Sequence, residues 1–281
     1  MTIYEIGLLV QVCINVLLGM SVYVALSTGQ LNLGAAGFMA VGAYTAAKVS
    51  LAGLPISVAL LLGVIVAAAV GFLIGFPALR ISGIYLAMAT FAFGLVMESV
   101  FLVLPWTGQA RGLSGILQIS PIELFAWTIV ALVLVYILCH SRFWLRVRSV
   151  HDDEFAASMT GLNTTTVKVA MFGLSGALAG LAGGMYAHWY VYVEPSAFSF
   201  ELSIFAALYV IFGGRHSFWG PILGATILTL LPEFARGLDT WRPAFIGVVL
   251  LVVLIVRPSG IIGRGTSLRA LWKRRSQRSS A

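Results

Sequence analysis

Charge is scarce in this sequence: Asp, Glu, Lys and Arg make up only 10% of its 281 residues, against about 25% in ordinary soluble domains. With 60% hydrophobic residues and a mean hydropathy of +1.00, the shortage excludes a soluble globular domain. Lysine is scarcer still. Lys48, Lys168 and Lys273 follow Ala47, Val167 and Trp272, so none completes the Gly-x4-Gly-Lys-Ser/Thr loop that wraps nucleotide phosphates. ATP hydrolysis by that route is ruled out. Cysteine is limited to Cys13 and Cys139, each inside an apolar run. They read as small buried hydrophobes, with no disulfide and no metal site. His-Glu-x-x-His, Cys-x-x-Cys and Gly-x-Ser-x-Gly are missing as well, which removes the usual hardware of metal hydrolysis and serine chemistry. No catalytic residue, cofactor or metal is expected.

What the sequence does have is long apolar runs. A helical crossing needs roughly 20 apolar residues, whereas barrel strands alternate apolar and polar positions, a pattern this chain does not show. The expectation is an all-α polytopic membrane bundle. Its spans fall near 6–27, 30–49, 55–77, 83–104, 122–141, 166–189, 200–213, 217–232 and 240–257, about nine crossings. The N-terminus lacks a basic n-region and is read as a retained first span. Of 17 basic residues, seven lie beyond Val256: Arg257, Arg264, Arg269, Lys273, Arg274, Arg275 and Arg278. A topology signal against anionic headgroups explains that cluster better than nucleic-acid binding. Arg142, Arg146 and Arg148 place the following loop on the cytoplasmic side by the same rule. The N-terminus then falls in the periplasm and the C-terminus in the cytoplasm. The organisation expected is one transmembrane domain over 1–257, with a cytoplasmic loop at 142–165 and a basic tail at 258–281.

Two spans look defective as plain membrane helices. QLNLGAAGFMAVGAYTAAK puts Asn32, Gly34 and Gly37 among alanines, and 200–213 is short and followed by GGRHSFWGP. Interrupted spans line the substrate path in many transporters, and small residues also let neighbouring backbones pack closely; both readings fit the first segment. Gly173, Gly176, Gly180, Gly183 and Gly184 recur at three- and four-residue spacing, a stripe suited to close helix packing. Glu98 is the clearest ionisable residue inside a span; it lines a polar path or reaches the interface. Phe91, Phe93 and Met97 pass an apolar side chain or belong to the core. His188, Glu194 and Glu201 are expected on a solvated outer rim.

One polar island stands out, HDDEFAASMTGLNTTTVK over 151–168. Asp152, Asp153 and Glu154 sit where carboxylates favour a helix start. Ala156 and Ala157 continue the helix, Gly161 ends it, and Asn163 or Thr164 to Thr166 cap the next. A plain surface loop and a partner-docking helix with an alanine face both fit this pattern.

Taken in order, STGQLNLGAAGFMAVGAYTAA, RISGIYLAMATFAFG, TGQARGLSGI, the segment from SRFWLRVRSV through GGMYAHW, PSAFSFELSI and FGGRHSFWGPILGATIL make the chain similar to the permease subunits of bacterial ABC importers. The resemblance is to the high-affinity branched-chain amino acid permeases of the larger type. In such importers a cytoplasmic loop with Glu-Ala-Ala, three residues and Gly docks on the ATPase. Ala156, Ala157 and Gly161 keep that spacing here, and Glu154 stands one place early, before Phe155. The resemblance implies that Asp153, Glu154, Ala156, Ala157 and Gly161 couple to the ATPase. It also implies a second permease chain, commonly forming a heterodimer, two ATP-binding subunits, a periplasmic substrate-binding protein and a multi-pass position in the bacterial inner membrane. The translocation path is expected at Asn32, Gly34, Gly37, Phe91 and Glu98. Two other possibilities stand beside this one: a self-sufficient secondary transporter or channel, and an ABC permease for urea or aromatic acids.

Overall fold

In apolar surroundings a backbone amide is most simply satisfied within its own helix, and most of the described residues are helical. A computed structural model describes residues 3–78, 81, 83–234, 242–257 and 260–262. The helices are α1 Ile3–Leu26, α2 Ala35–Leu51, α3 Ile56–Ala78, α4 Ile84–Val103, α5 Pro121–His140, α6 Arg142–Asp152, α7 Glu154–Met159, α8 Thr164–Tyr190, α9 Phe200–Gly213, α10 Trp219–Phe234 and α11 Arg242–Val256. A two-residue antiparallel ribbon pairs β1 (Leu113–Ser114) with β2 (Tyr192–Val193). Five helices, α1, α3, α4, α5 and α8, together with the Pro195–Gly213 run, are long and apolar enough to cross a membrane. α2, α10 and α11 are shorter, at 17, 16 and 15 residues. The described residues thus form an all-α, multi-span bundle. All of the 258–281 tail except Gly260–Ile262 lies outside them.

α8 is the central post. Its glycine stripe works as expected, because a methyl group on Gly183 would run into the Met39 carbonyl, and one on Gly42 into the backbone of Gly180. α2 and α8 therefore touch backbone to backbone, with α3 closing the third side through Gly63, Ala67 and Gly71. Exposed Leu73, Ile65, Val130, Leu134 and Ile137 show that α3 and α5 turn large apolar side chains outward, as helices facing lipid do.

The two ends of the bundle differ. At one end, the close of α1, helix α6 and the turn between α9 and α10 meet, and Ile261 N donates to Phe212 O at 3.0 Å, bringing the segment after α11 to the same place. At the other, the β1/β2 ribbon and a bond from Ile119 N to His188 O at 3.1 Å close the bundle. The start of α1 lies away from the α6 end, its Tyr4 hydroxyl bonded to Glu233 on α10.

Candidate functional site

Two regions carry the residues singled out from the sequence. The first is the polar island. The basic run before it forms a helix of its own, α6, which the sequence reading did not separate. Trp144, Val147 and Val150 are buried at three-residue spacing while Arg142, Arg146 and Arg148 stay exposed. Trp144 stacks on Tyr23 of α1 with ring centroids 6.0 Å apart, so α6 lies docked across the bundle end. The break also falls later than expected. Asp152 is the last residue of α6, and Asp153 is the cap of α7, its carboxylate accepting from Ala156 N at 3.0 Å. α7 is a single short helix. Gly161 ends it in the left-handed region at φ +81, where glycine carries no steric penalty. Asn163 then caps α8 by accepting from Thr166 N at 3.1 Å.

α7 does not present an alanine face. Ala157 is 4% exposed and packs against the body of the chain, and Ala156 is exposed. The side chains projecting outward are Phe155 at 70% and Met159 at 71% exposure, one helical turn apart and so neighbours on one face. Glu154 is tied to Lys168 of α8 by an ion pair of 2.6 Å. Ala157 is small enough to let α7 lie close; the aromatic and thioether groups beside it were hidden from sequence reasoning because period alone does not orient a six-residue helix.

The second region is a seam buried inside the bundle. α1 ends at Leu26, and residues 27–34 run without helical structure before α2 starts at Ala35. Thr28, Gln30 and Asn32 are almost fully buried there. Asn32 Nδ2 donates to Ser175 Oγ at 3.1 Å. Ser175 is the twelfth residue of α8, about 16 Å along that helix at 1.5 Å per residue. Free backbone amides at such a depth need partners, and three side chains, from the segment itself, α4 and α9, supply them. Asn32 Oδ1 accepts from Gly34 N at 2.9 Å, Thr90 Oγ1 of α4 from Leu33 N at 3.0 Å, and Ser203 Oγ of α9 from Ala36 N at 3.0 Å. The first turn of α9 thus meets the first turn of α2, and both helices begin inside the bundle.

Asn32, Gly34 and Gly37 therefore come together. A methyl on Gly34 would stand 2.7 Å from the Thr90 carbonyl, and one on Gly37 3.0 Å from the Phe93 ring, so these glycines serve close contact with α4. Phe91 lies on the flank of the seam, its ring 4.1 Å from that of Phe200 at the start of α9. Glu98 is half-buried two turns further along α4. Thr90, Ser175 and Ser203 escaped the sequence reading; their only signal is a hydroxyl on an otherwise apolar helix. Glu201, expected on a solvated rim, stands exposed on the first turn of α9 beside Phe200. His188, expected on the same rim, is instead fully buried, its Nδ1 2.8 Å from Gly184 O. The thiols of Cys13 and Cys139 are free.

Residues 5–256 match the family described as the branched-chain amino acid transport system permease component. The chain is similar to the high-affinity branched-chain amino acid transport system permease protein LivM of Salmonella typhimurium and to its counterpart in Escherichia coli K12. Each is 32% identical over 92% of this chain and 69% of the relative. It is also similar to LivH of Escherichia coli K12, 29% identical over 47% of this chain and 44% of that one. No solved structure matches.

Proposed function

The chain belongs to the family of branched-chain amino acid transport system permease components, and from that premise we propose that it is the membrane-spanning subunit of an ABC importer, carrying branched-chain amino acids and driven through α6 and α7. It is a multi-pass inner-membrane protein and a transport subunit, not an enzyme. The observation that carries the coupling reading is α7 itself, a capped, exposed helix with Phe155 and Met159 outward, within a stretch that keeps the spacing of the family's docking loop. On this reading the α6 end faces the cytoplasm, the chain crosses about nine times, and the start of α1 faces the periplasm. Phe155 and Met159 enter a cleft on an ATPase subunit while Asp153, Glu154 and Gly161 hold the helix in shape. A second permease chain completes the path, two ATPases bind beneath, and a periplasmic binding protein delivers the solute. Reversing a 1:99 population of inward- and outward-open states takes about 5.5 kcal/mol of differential binding, within reach of nucleotide plus a few such contacts.

The path follows the flank of the seam, along Phe91, Glu98, Phe200 and Glu201. A carboxylate beside buried elements at membrane depth is tolerated where it meets water or a partner chain, since contact with lipid costs about 2.5–3.5 kcal/mol. Asn32, Gly34 and Gly37 support that flank from behind, keeping α2, α4 and α9 in register. The test is reconstitution of the chain with its partner permease, ATPases and binding protein in liposomes. Leucine, isoleucine and valine are expected to stimulate ATP hydrolysis and to accumulate inside. Stimulation by urea or aromatic acids alone would change the solute, and uptake by the isolated chain would put it among secondary transporters.

A further inference from the structure

At the α6 end of the bundle a cavity of about 250 Å³ opens between the end of α1, the outer turn of α6 and the 214–218 turn that joins α9 to α10. Its lining is basic. Arg148 and His151 come from α6, and Arg215 and His216 from the turn. The two imidazoles stand edge to face with centroids 6.4 Å apart, and Arg215 Nε donates to His216 Nε2 at 3.1 Å. One carboxylate, Asp152, shares the cavity and is already engaged. Neither guanidinium is paired with a carboxylate among the described residues, and His151 Nδ1 is buried without a partner.

The ordinary use for arginines beside a helix C-terminus is to cap its last carbonyls. That use is already taken at α1. Ser27 N, Thr28 N and Gly29 N donate to the carbonyls of Tyr23, Ala25 and Leu26, and Ser27 Oγ donates to that of Val24. Two guanidinium charges on one cavity outnumber its single carboxylate, and the excess repels unless a further anion lies between them, while the planar guanidinium fork fits phosphate oxygens in pairs. An imidazole nitrogen left buried offers a further donor. We propose that this cavity binds a phosphate group, presented as inorganic phosphate or as the headgroup of an anionic phospholipid, with Arg148 and Arg215 gripping its oxygens and His151 donating from the α6 wall. Because the cavity is walled by α1, α6 and the α9–α10 turn together, an occupant joins the segment next to α7 to the helices that frame the seam. The inference does not depend on which solute the chain carries.

The test uses the full chain with its partner permease, stripped of lipid in detergent. In one arm, equilibrium dialysis follows radiolabelled inorganic phosphate; in the other, native mass spectrometry counts lipids retained from nanodiscs of phosphatidylglycerol against nanodiscs of phosphatidylcholine. R148Q and R215Q are each expected to weaken binding about 10-fold or more, as loss of a charge-assisted hydrogen bond does, while R111Q, on the opposite end, leaves it unchanged. Loss in the phosphate arm identifies a free ion as ligand, and loss confined to phosphatidylglycerol identifies a lipid. Should R148Q not elute as a single species, R215Q, on an exposed turn, carries the comparison. No binding in either arm, or binding equally strong in both variants, overturns the proposal.

Discussion

The seam and the α6–α7 segment are both polar interruptions in an apolar chain, yet they are built in opposite ways. In the seam, Asn32, Thr90, Ser175 and Ser203 are buried, and each bonds to its neighbours inside the bundle. In α7 every side chain but that of Ala157 is exposed, and the helix is held by Asp153, Gly161, buried Ala157 and one ion pair from Glu154 to Lys168. Burial without water makes each bond in the seam costly to lose, so the seam behaves as a fixed joint. Few tertiary ties let α7 shift without breaking the core, as the proposed coupling role requires. On the proposed coupling reading, the contrast separates substitutions that damage the fold from substitutions that leave the fold and disconnect it from an ATPase.

The largest effect on folding is expected at the post beside the seam. G183L drives a side chain into the Met39 carbonyl, where neither backbone can give way; overpacking costs typically about 1–3 kcal/mol and occasionally more, and with backbone on both sides the variant should not elute as a folded species. Next comes the seam. S203A leaves Ala36 N–H unpaired at a cost of about 1–3 kcal/mol, read as a lower midpoint of thermal denaturation in detergent. S203T, which keeps the hydroxyl, should restore most of it. If S203A matched the parent, the seam would not be the joint described. A smaller loss follows D153A, which removes the α7 cap for about 0.5–2 kcal/mol, confined to α7 and visible as faster amide exchange over 154–160. Smallest is K168M. It breaks a pair whose Glu154 side chain is 51% exposed, a setting in which ion pairs contribute about 0–1 kcal/mol, so the midpoint should hardly move and high salt should erase the difference.

The same division marks what could be read from sequence. Composition and run length gave the all-α membrane bundle, because lipid leaves the backbone few choices. The glycine stripe of α8, the defective start of α2 and the Asp153, Gly161 and Asn163 punctuation were legible too, since each rests on local stereochemistry. Partners distant in sequence were not. Asn32 meets Ser175 143 positions away, and no period in either segment announces it. The orientation of α7 was lost for a related reason: which of Phe155, Ala156 and Ala157 faces outward depends on how Trp144 seats α6 on Tyr23. His188 was misplaced because α8 runs on to Tyr190, which keeps it inside the bundle.

The central claim, that α7 is a handle gripped through its outward side chains, is tested most directly by F155D combined with M159D in the reconstituted assembly. Both positions are more than two-thirds exposed, and exposed substitutions usually change stability by less than about 0.5 kcal/mol. The account predicts an unchanged denaturation midpoint, with leucine uptake and its stimulation of ATP hydrolysis lost together. Normal uptake by a stably assembled double variant would contradict it.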